Sequence, residues 1–437
     1  MRANTASAVL VGLLCGHAGE APSVHTLVQQ DPWWSPLDSA PAAVSADGRY
    51  IAFTSYARLA PADTNSRRDV YVVDRVNGRL TLESVTDGGE SSEFDSGPVS
   101  LSGDGRFLVY ESIIPTASGS LQVEILLRDR REGTVTLVSA PRSGERADGS
   151  STTPKISRDS SVVVFSSLAT NLVSGGDANG KKSDIYVYER AERTIRRLSV
   201  DSSGRQPATG SNLSPSVSAD GRRVVFASTA ELDETRPTGR AAPPAPPTWN
   251  IYLRDRDRQR TTRLSVGSSG RTPDGSSWAP AISGNGRIVV FSSMATNLTA
   301  QDRNRSPDVF LVDVETGSLE AISRRTDRAT ANATSGSPAV SDDGRFVVFQ
   351  SQASDLVCTR DCRGVAEDIN LLWDVFLLDR ESRVMTRVSG DEAGEWMAPS
   401  AGAAIDGAAD IIVFSSRHPT EPSDLRNDFD LFVVARR

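Results

Sequence analysis

Seven times along this chain a short apolar run follows a turn, ends in an aromatic residue and gives way to small polar residues. The copies are SADGRYIAFTS (45–55), SGDGRFLVYES (102–112), SRDSSVVVFSS (157–167), SADGRRVVFAS (218–228), SGNGRIVVFSS (283–293), SDDGRFVVFQS (341–351) and IDGAADIIVFSS (405–416). The aromatic anchors Phe53, Tyr110, Phe165, Phe226, Phe291, Phe349 and Phe414 follow one another at steps of 57, 55, 61, 65, 58 and 65 residues. Such a period holds one four-stranded sheet, which is the repeat of a β-propeller and not of a helical solenoid. The pattern predicts an all-β fold: a seven-bladed β-propeller of four-stranded antiparallel blades.

A second strand pair recurs within each repeat. It opens with an acidic or amide residue before an apolar run, as in DVYVVDR (69–75), DIYVYER (184–190), NIYLRDR (250–256) and DVFLLDR (374–380). β-Branched and aromatic residues bounded by turn formers favour strands. With the strands of a blade labelled a to d from the axis outward, the opening residue of strand c lies 15 residues before a Ser (Ser84, Ser139, Ser199, Ser265, Ser323, Ser389) in six copies. That constancy predicts a tight c–d hairpin, with Gly78, Gly133 and Gly317 where the turn needs positive φ. The b–c separations vary instead, at 14, 12, 17, 22, 15, 23 and 14 residues. Because strands alternate in direction, b–c and d–a loops share one face and the tight turns share the other. Variation is thus expected on a single face, where loops on a rigid scaffold usually carry recognition.

The seventh repeat reaches Arg437 without a strand d of its own. Residues 22–30 (PSVHTLVQQ) are placed as a strand d would be, so Val24 to Val28 are expected to pair with the last strand c and close the ring. Residues 22–437 are read as a single propeller domain.

Composition narrows the function. A net charge of -8 argues against a nucleic-acid partner. No segment approaches the roughly 18 apolar residues of a membrane span. Residues 1–18 have the layout of an export signal: Arg2, the apolar run 8–14, and small residues near Ala18. Leu13 and Leu14 before Cys15 do not suit a lipoprotein signal, so a periplasmic or secreted monomer is expected. In such an oxidising compartment Cys358 and Cys362 are a disulfide candidate within the blade-six loop.

Catalytic groups are scarce. Beyond the leader only His25 and His418 remain, and no Gly-x-Ser-x-Gly, HExxH or phosphate-loop motif occurs. Carboxylates are plentiful, so a hydrolase or lyase pair stays open as a lesser reading. One polar set recurs before strand c: Asp63, Asn65 and Asp69; Asp177, Asn179 and Asp184; Asp302, Asn304 and Asp308. Oxygens so spaced can hold calcium, or they can pin the loop through Asx-turns. No other cofactor is implied. Trp249, Trp278, Trp373 and Trp396 fall on or near the variable face, either packed beneath its loops or forming a recognition rim.

The unit P-x-[IV]-S-x-D-G-R-x-[IV]-x-F-x-S followed by D-[IV]-[FY]-[LV]-x-D-R resembles the repeats of TolB-like β-propellers, over essentially all of 22–437. That group includes periplasmic TolB and the propeller domains of prolyl oligopeptidase-type peptidases. The resemblance implies a propeller without TolB's N-terminal domain or a peptidase's hydrolase domain. Oligogalacturonate lyases are similar to these propellers, but the several metal-binding His residues they imply are absent here. Propellers host unrelated activities, so no family site carries over. The expected partner is an envelope or secreted protein, with a polysaccharide or cell-wall ligand as the alternative.

Overall fold

The computed structural model describes residues 24–28, 42–86, 88–116, 119–233, 248–300, 302, 304–325, 330–357, 370–391, 394–396, 398–418 and 430–436. Seven antiparallel four-stranded sheets are present, with almost no helix. Blade three shows the plan: strands Ser151–Ile156, Val162–Ser167, Asp184–Glu189 and Thr194–Arg197 run in that order from a to d. Strands b and c lie buried on both faces, which is why they read as nearly continuous apolar runs.

Six of the seven anchors sit opposite an aromatic residue of strand c, and Tyr110 of blade two sits opposite Leu126. Phe165 stacks on Tyr186 at 5.9 Å between ring centres, and the Phe53–Tyr71, Phe226–Tyr252, Phe291–Phe310, Phe349–Phe376 and Phe414–Phe432 pairs repeat the contact. Such pairs contribute about 0.5–1.5 kcal/mol each beyond their burial. The remaining core lies between blades, one apolar cluster at every interface around the ring.

The ring closes as expected. Val24–Val28 is the outermost strand of the last blade, antiparallel to Asp430–Ala435, with His25 opposite Val433 and an irregularity between Thr26 and Val28. Behind it, Ile51, Phe53, Tyr71 and Val73 of blade one pack with Ile411, Val413, Leu431 and Val433 of blade seven.

The tight-turn face is joined a second way. Ala46 N donates to Gly103 O, Gly103 N to Arg158 O, Asp159 N to Ala219 O, Ala219 N to Gly284 O, Asn285 N to Asp342 O, Asp342 N to Gly407 O and Gly407 N back to Ala46 O, all at 2.8–3.1 Å. This backbone belt passes through the a–b turn of every blade. Close approach there is what the turn glycines permit: Gly344 has φ +76°, and a Cβ on it would stand 2.5 Å from Ile288 of the preceding blade. In the c–d hairpins Gly78, Gly133 and Gly317 take φ of 70–73°, and Arg193, Gln259 and Arg383 hold the same turn position at 53–59°.

Candidate functional site on the loop face

Spacing places the polar sets, and the structure shows what holds them. The Ser that lies 15 residues after the start of strand c hydrogen-bonds the opening side chain across the c–d pair. Ser84 reaches Asp69 at 2.5 Å, Ser199 reaches Asp184 at 2.7 Å, Ser323 reaches Asp308 at 2.7 Å and Ser389 reaches Asp374 at 2.5 Å; Ser139 pairs likewise with Glu124, and Ser265 with Asn250 at 3.2 Å. The same Oγ accepts the next strand-c amide, as from Ile185 at 3.1 Å and Val309 at 2.9 Å. The fixed separation therefore records a buried pin as well as a short hairpin. Burial pushes these carboxyls up against the Ser bond: Asp69 and Asp184 to about 6 and Asp308 to about 7.

The three Asp-x-Asn sets meet different partners. In blade one Asp63 accepts from the Tyr71 hydroxyl and, at 3.1 Å, from Asn65 N, while the Asn65 amide donates to Ser92 O at 2.8 Å. In blade three a cation is built into the chain: Arg197 Nε lies 3.3 Å from Asp184 Oδ2, and its Nη2 lies 3.7 Å from Asp177 Oδ1. Gln206 donates to both carboxylates at 2.6 and 2.7 Å, and Asn179 reaches Asp184 at 3.3 Å. Arg197 stands on strand d opposite Tyr186, whose ring its guanidinium also covers. In blade five that register pairs Phe310 with Ala321. Asp302 there keeps both carboxylate oxygens, and Asp308 keeps Oδ2, buried without a hydrogen-bond partner; Asn304 donates instead to Ala331 O at 2.6 Å. Among the described residues no group of three or more His, Cys, Asp or Glu converges as a metal site.

The tryptophans divide. Trp396 is only 4% exposed, stacked on His418 at 4.2 Å and packed against Phe414 and Phe432, so it lies beneath the loops. Trp249, Trp278 and Trp373 are half-buried. Cys358, Cys362 and residues 1–18 lie outside the described residues, and for His25 only the strand is described.

Two features of this face escape the repeat pattern. In blade two, strands Phe107–Pro115 and Leu121–Asp129 run nine residues each, against six in blade three, and their ladder continues to Pro115 opposite Leu121. A two-stranded arm thus projects where the b–c separation is shortest. Its signal was the second apolar stretch after Ser112. The other feature is surface apolarity: Tyr56, Leu121, Leu168, Val266, Met294 and Leu371 are all exposed, and all sit on b–c or d–a connections or at their edge. At the axis, strands a surround a cavity of about 510 Å³. Lys155 lines it where other blades carry Ala or Ser, and burial holds its amine below the ordinary lysine range.

These features define a seven-bladed β-propeller whose long, unequal loops lie on one face. No protein-family model matches the chain, and no curated protein sequence does either. Solved structures do match. Oligogalacturonate lyase from Vibrio parahaemolyticus is 10% identical with a TM-score of 0.52, over 95% of this chain and 97% of that one. The β-propeller domain of the Trilobed protease from Pyrococcus furiosus, noted for an open velcro topology, is 11% identical with a TM-score of 0.51, over 90% and 93%. TolB from Acinetobacter baumannii is 12% identical at a TM-score of 0.40, over 90% and 81%. At these identities the likeness to the first two establishes the fold alone. No helix among the described residues is long and apolar enough to cross a membrane.

Proposed function

We propose that this chain is an exported propeller of the bacterial envelope that binds a protein partner on its loop face. One observation carries the reading. Of the nine large apolar side chains exposed among the described residues, six stand on or at the edge of the b–c and d–a connections. Leu121 tips the blade-two arm, while Tyr56, Leu168 and Met294 each directly follow a strand b and so mark the rims of blades one, three and five. Exposed apolar groups collected on one face and rimmed by polar residues favour a protein surface.

The test is affinity capture from an envelope extract with residues 19–437, set against a Leu121→Lys, Leu168→Lys, Met294→Lys variant. A protein recovered by the wild type and reduced at least about tenfold by the variant supports the reading, since each lost apolar anchor costs on the order of 1–2 kcal/mol. Recovery of the same protein by both sinks the loop-face site. Retention of wall polysaccharide in place of protein transfers the face to the carbohydrate alternative, with Trp249, Trp278 and Trp373 as contacts.

A further inference from the structure

Blade five buries two carboxylates for which the described residues supply no ion-pair partner. Asp308 is fully enclosed, and its Oδ2 has no hydrogen-bond partner; both oxygens of Asp302, six residues earlier in the loop, are equally bare. The backbone amides of Asn304 and Arg305 face Asp302, and the Asn304 side-chain amide faces Asp308, without reaching hydrogen-bond geometry at the bare oxygens. The charges that the two carboxylates feel are mostly of their own sign: each other's, and those of Asp274 and Asp355. Isolated buried carboxylates are costly, and folded proteins pair them, protonate them or place a metal between them.

Blade three shows how the same fold deals with the same pair. There the carboxylates of Asp177 and Asp184 share the Arg197 guanidinium, which comes from the strand-d position opposite the strand-c aromatic. Blade four keeps an arginine at that position, Arg263 opposite Tyr252, and its strand c opens with neutral Asn250. Blade six has Arg387 opposite Phe376. Blade one answers with the Tyr71 hydroxyl on Asp63. In blade five the guanidinium becomes the methyl group of Ala321, and the phenol becomes Phe310. Both carboxylates are retained, while the groups that answer them elsewhere are gone.

We propose that blade five binds a hard divalent cation, of which calcium is the type, between Asp302 and Asp308 in the place that the Arg197 guanidinium takes in blade three. Carboxylate oxygens suit calcium, whose coordination of six to eight oxygens at 2.3–2.6 Å is completed by loop carbonyls and water. Two carboxylates balance its charge. The loop then becomes anchored to strand c by the ion, at the edge of the face proposed for partner binding, although the inference stands without that reading.

The experiment uses the full chain, stripped with a chelator and then titrated with calcium chloride by calorimetry and by thermal melting. One site is expected, with the melting temperature rising by about 3 °C at a hundredfold excess over the Kd. Asp308→Asn removes both responses; blade four, which opens with Asn250, shows that the fold accepts the amide. Ala321→Arg, which supplies the missing guanidinium, also removes them, while Asp177→Asn in blade three leaves them intact. No binding heat or melting shift in the wild type overturns the proposal. Equal calcium responses in the wild type and Asp308→Asn overturn it too, because the ion then sits elsewhere. If Ala321→Arg fails to fold, the Asp308→Asn comparison decides alone.

Discussion

At the scale of single residues, the opening side chain of strand c couples a local bond to the protonation of the whole protein. Asp69 is fully enclosed, and burial raises it to about 6 against an ordinary value near 4. The folded state therefore prefers the neutral acid. Its contribution to stability is complete below about pH 4 and is lost as pH rises through 6. Asp69→Asn, which copies Asn250 of blade four, is expected to flatten the fall in stability between pH 4 and pH 7 by up to one proton of linkage slope, measured by denaturant midpoints across that range. An identical pH profile in the two proteins would contradict the assignment. These buried acids were legible as a repeated letter. Their fates were not, because in blades three and five they turn on the strand-d residue 13 positions later, Arg197 or Ala321, which the repeat pattern does not flag. An alignment of the outer strands would have found the difference between blades three and five.

At the scale of elements, the c–d hairpin was read correctly as a tight turn, since Gly78, Gly133 and Gly317 do take positive φ. Three blades form the same turn without glycine, and there the left-handed backbone costs about 1–2 kcal/mol. Replacing Arg193 (φ 53°) by Gly removes that cost and adds freedom to the unfolded chain, for a net gain of about 0.5–1 kcal/mol. Urea denaturation of Arg193→Gly measures it; a loss of stability would show that the Arg193 side chain matters more than its backbone. The blade-two arm went unread for a different reason. Strand boundaries were set by the terminal Ser of each copy, and at Ser112 the ladder runs on through Ile113 and Ile114 opposite Val123 and Gln122. Periodicity across repeats finds what the blades share; an arm carried by one blade has no echo to reveal it.

At the scale of the whole molecule, the closing strand was legible because only one upstream segment stood at the right distance from the first turn. Its antiparallel pairing with Asp430–Ala435 covers an edge that would otherwise be open for another chain. A protein starting at residue 30 is expected to self-associate or to unfold at a lower denaturant concentration, as judged by light scattering and urea titration. A monomer of unchanged stability would mean that the seventh blade holds without its outer strand.

The backbone belt has a mechanical meaning that neither the blades nor the closing strand conveys. Seven hydrogen bonds of nearly equal length fix the circumference of the tight-turn face, and on the opposite side the amides of Ser96, Asn212, Ser277, Ser335 and Ser400 each donate to the backbone oxygen just before strand c of the preceding blade. The molecule is thus strapped toward both rims, with a continuous hoop on the tight-turn side. Load applied at the loops is therefore passed from blade to blade through these straps and the apolar clusters between them, while the hoop holds the far end of the axial cavity at a fixed width.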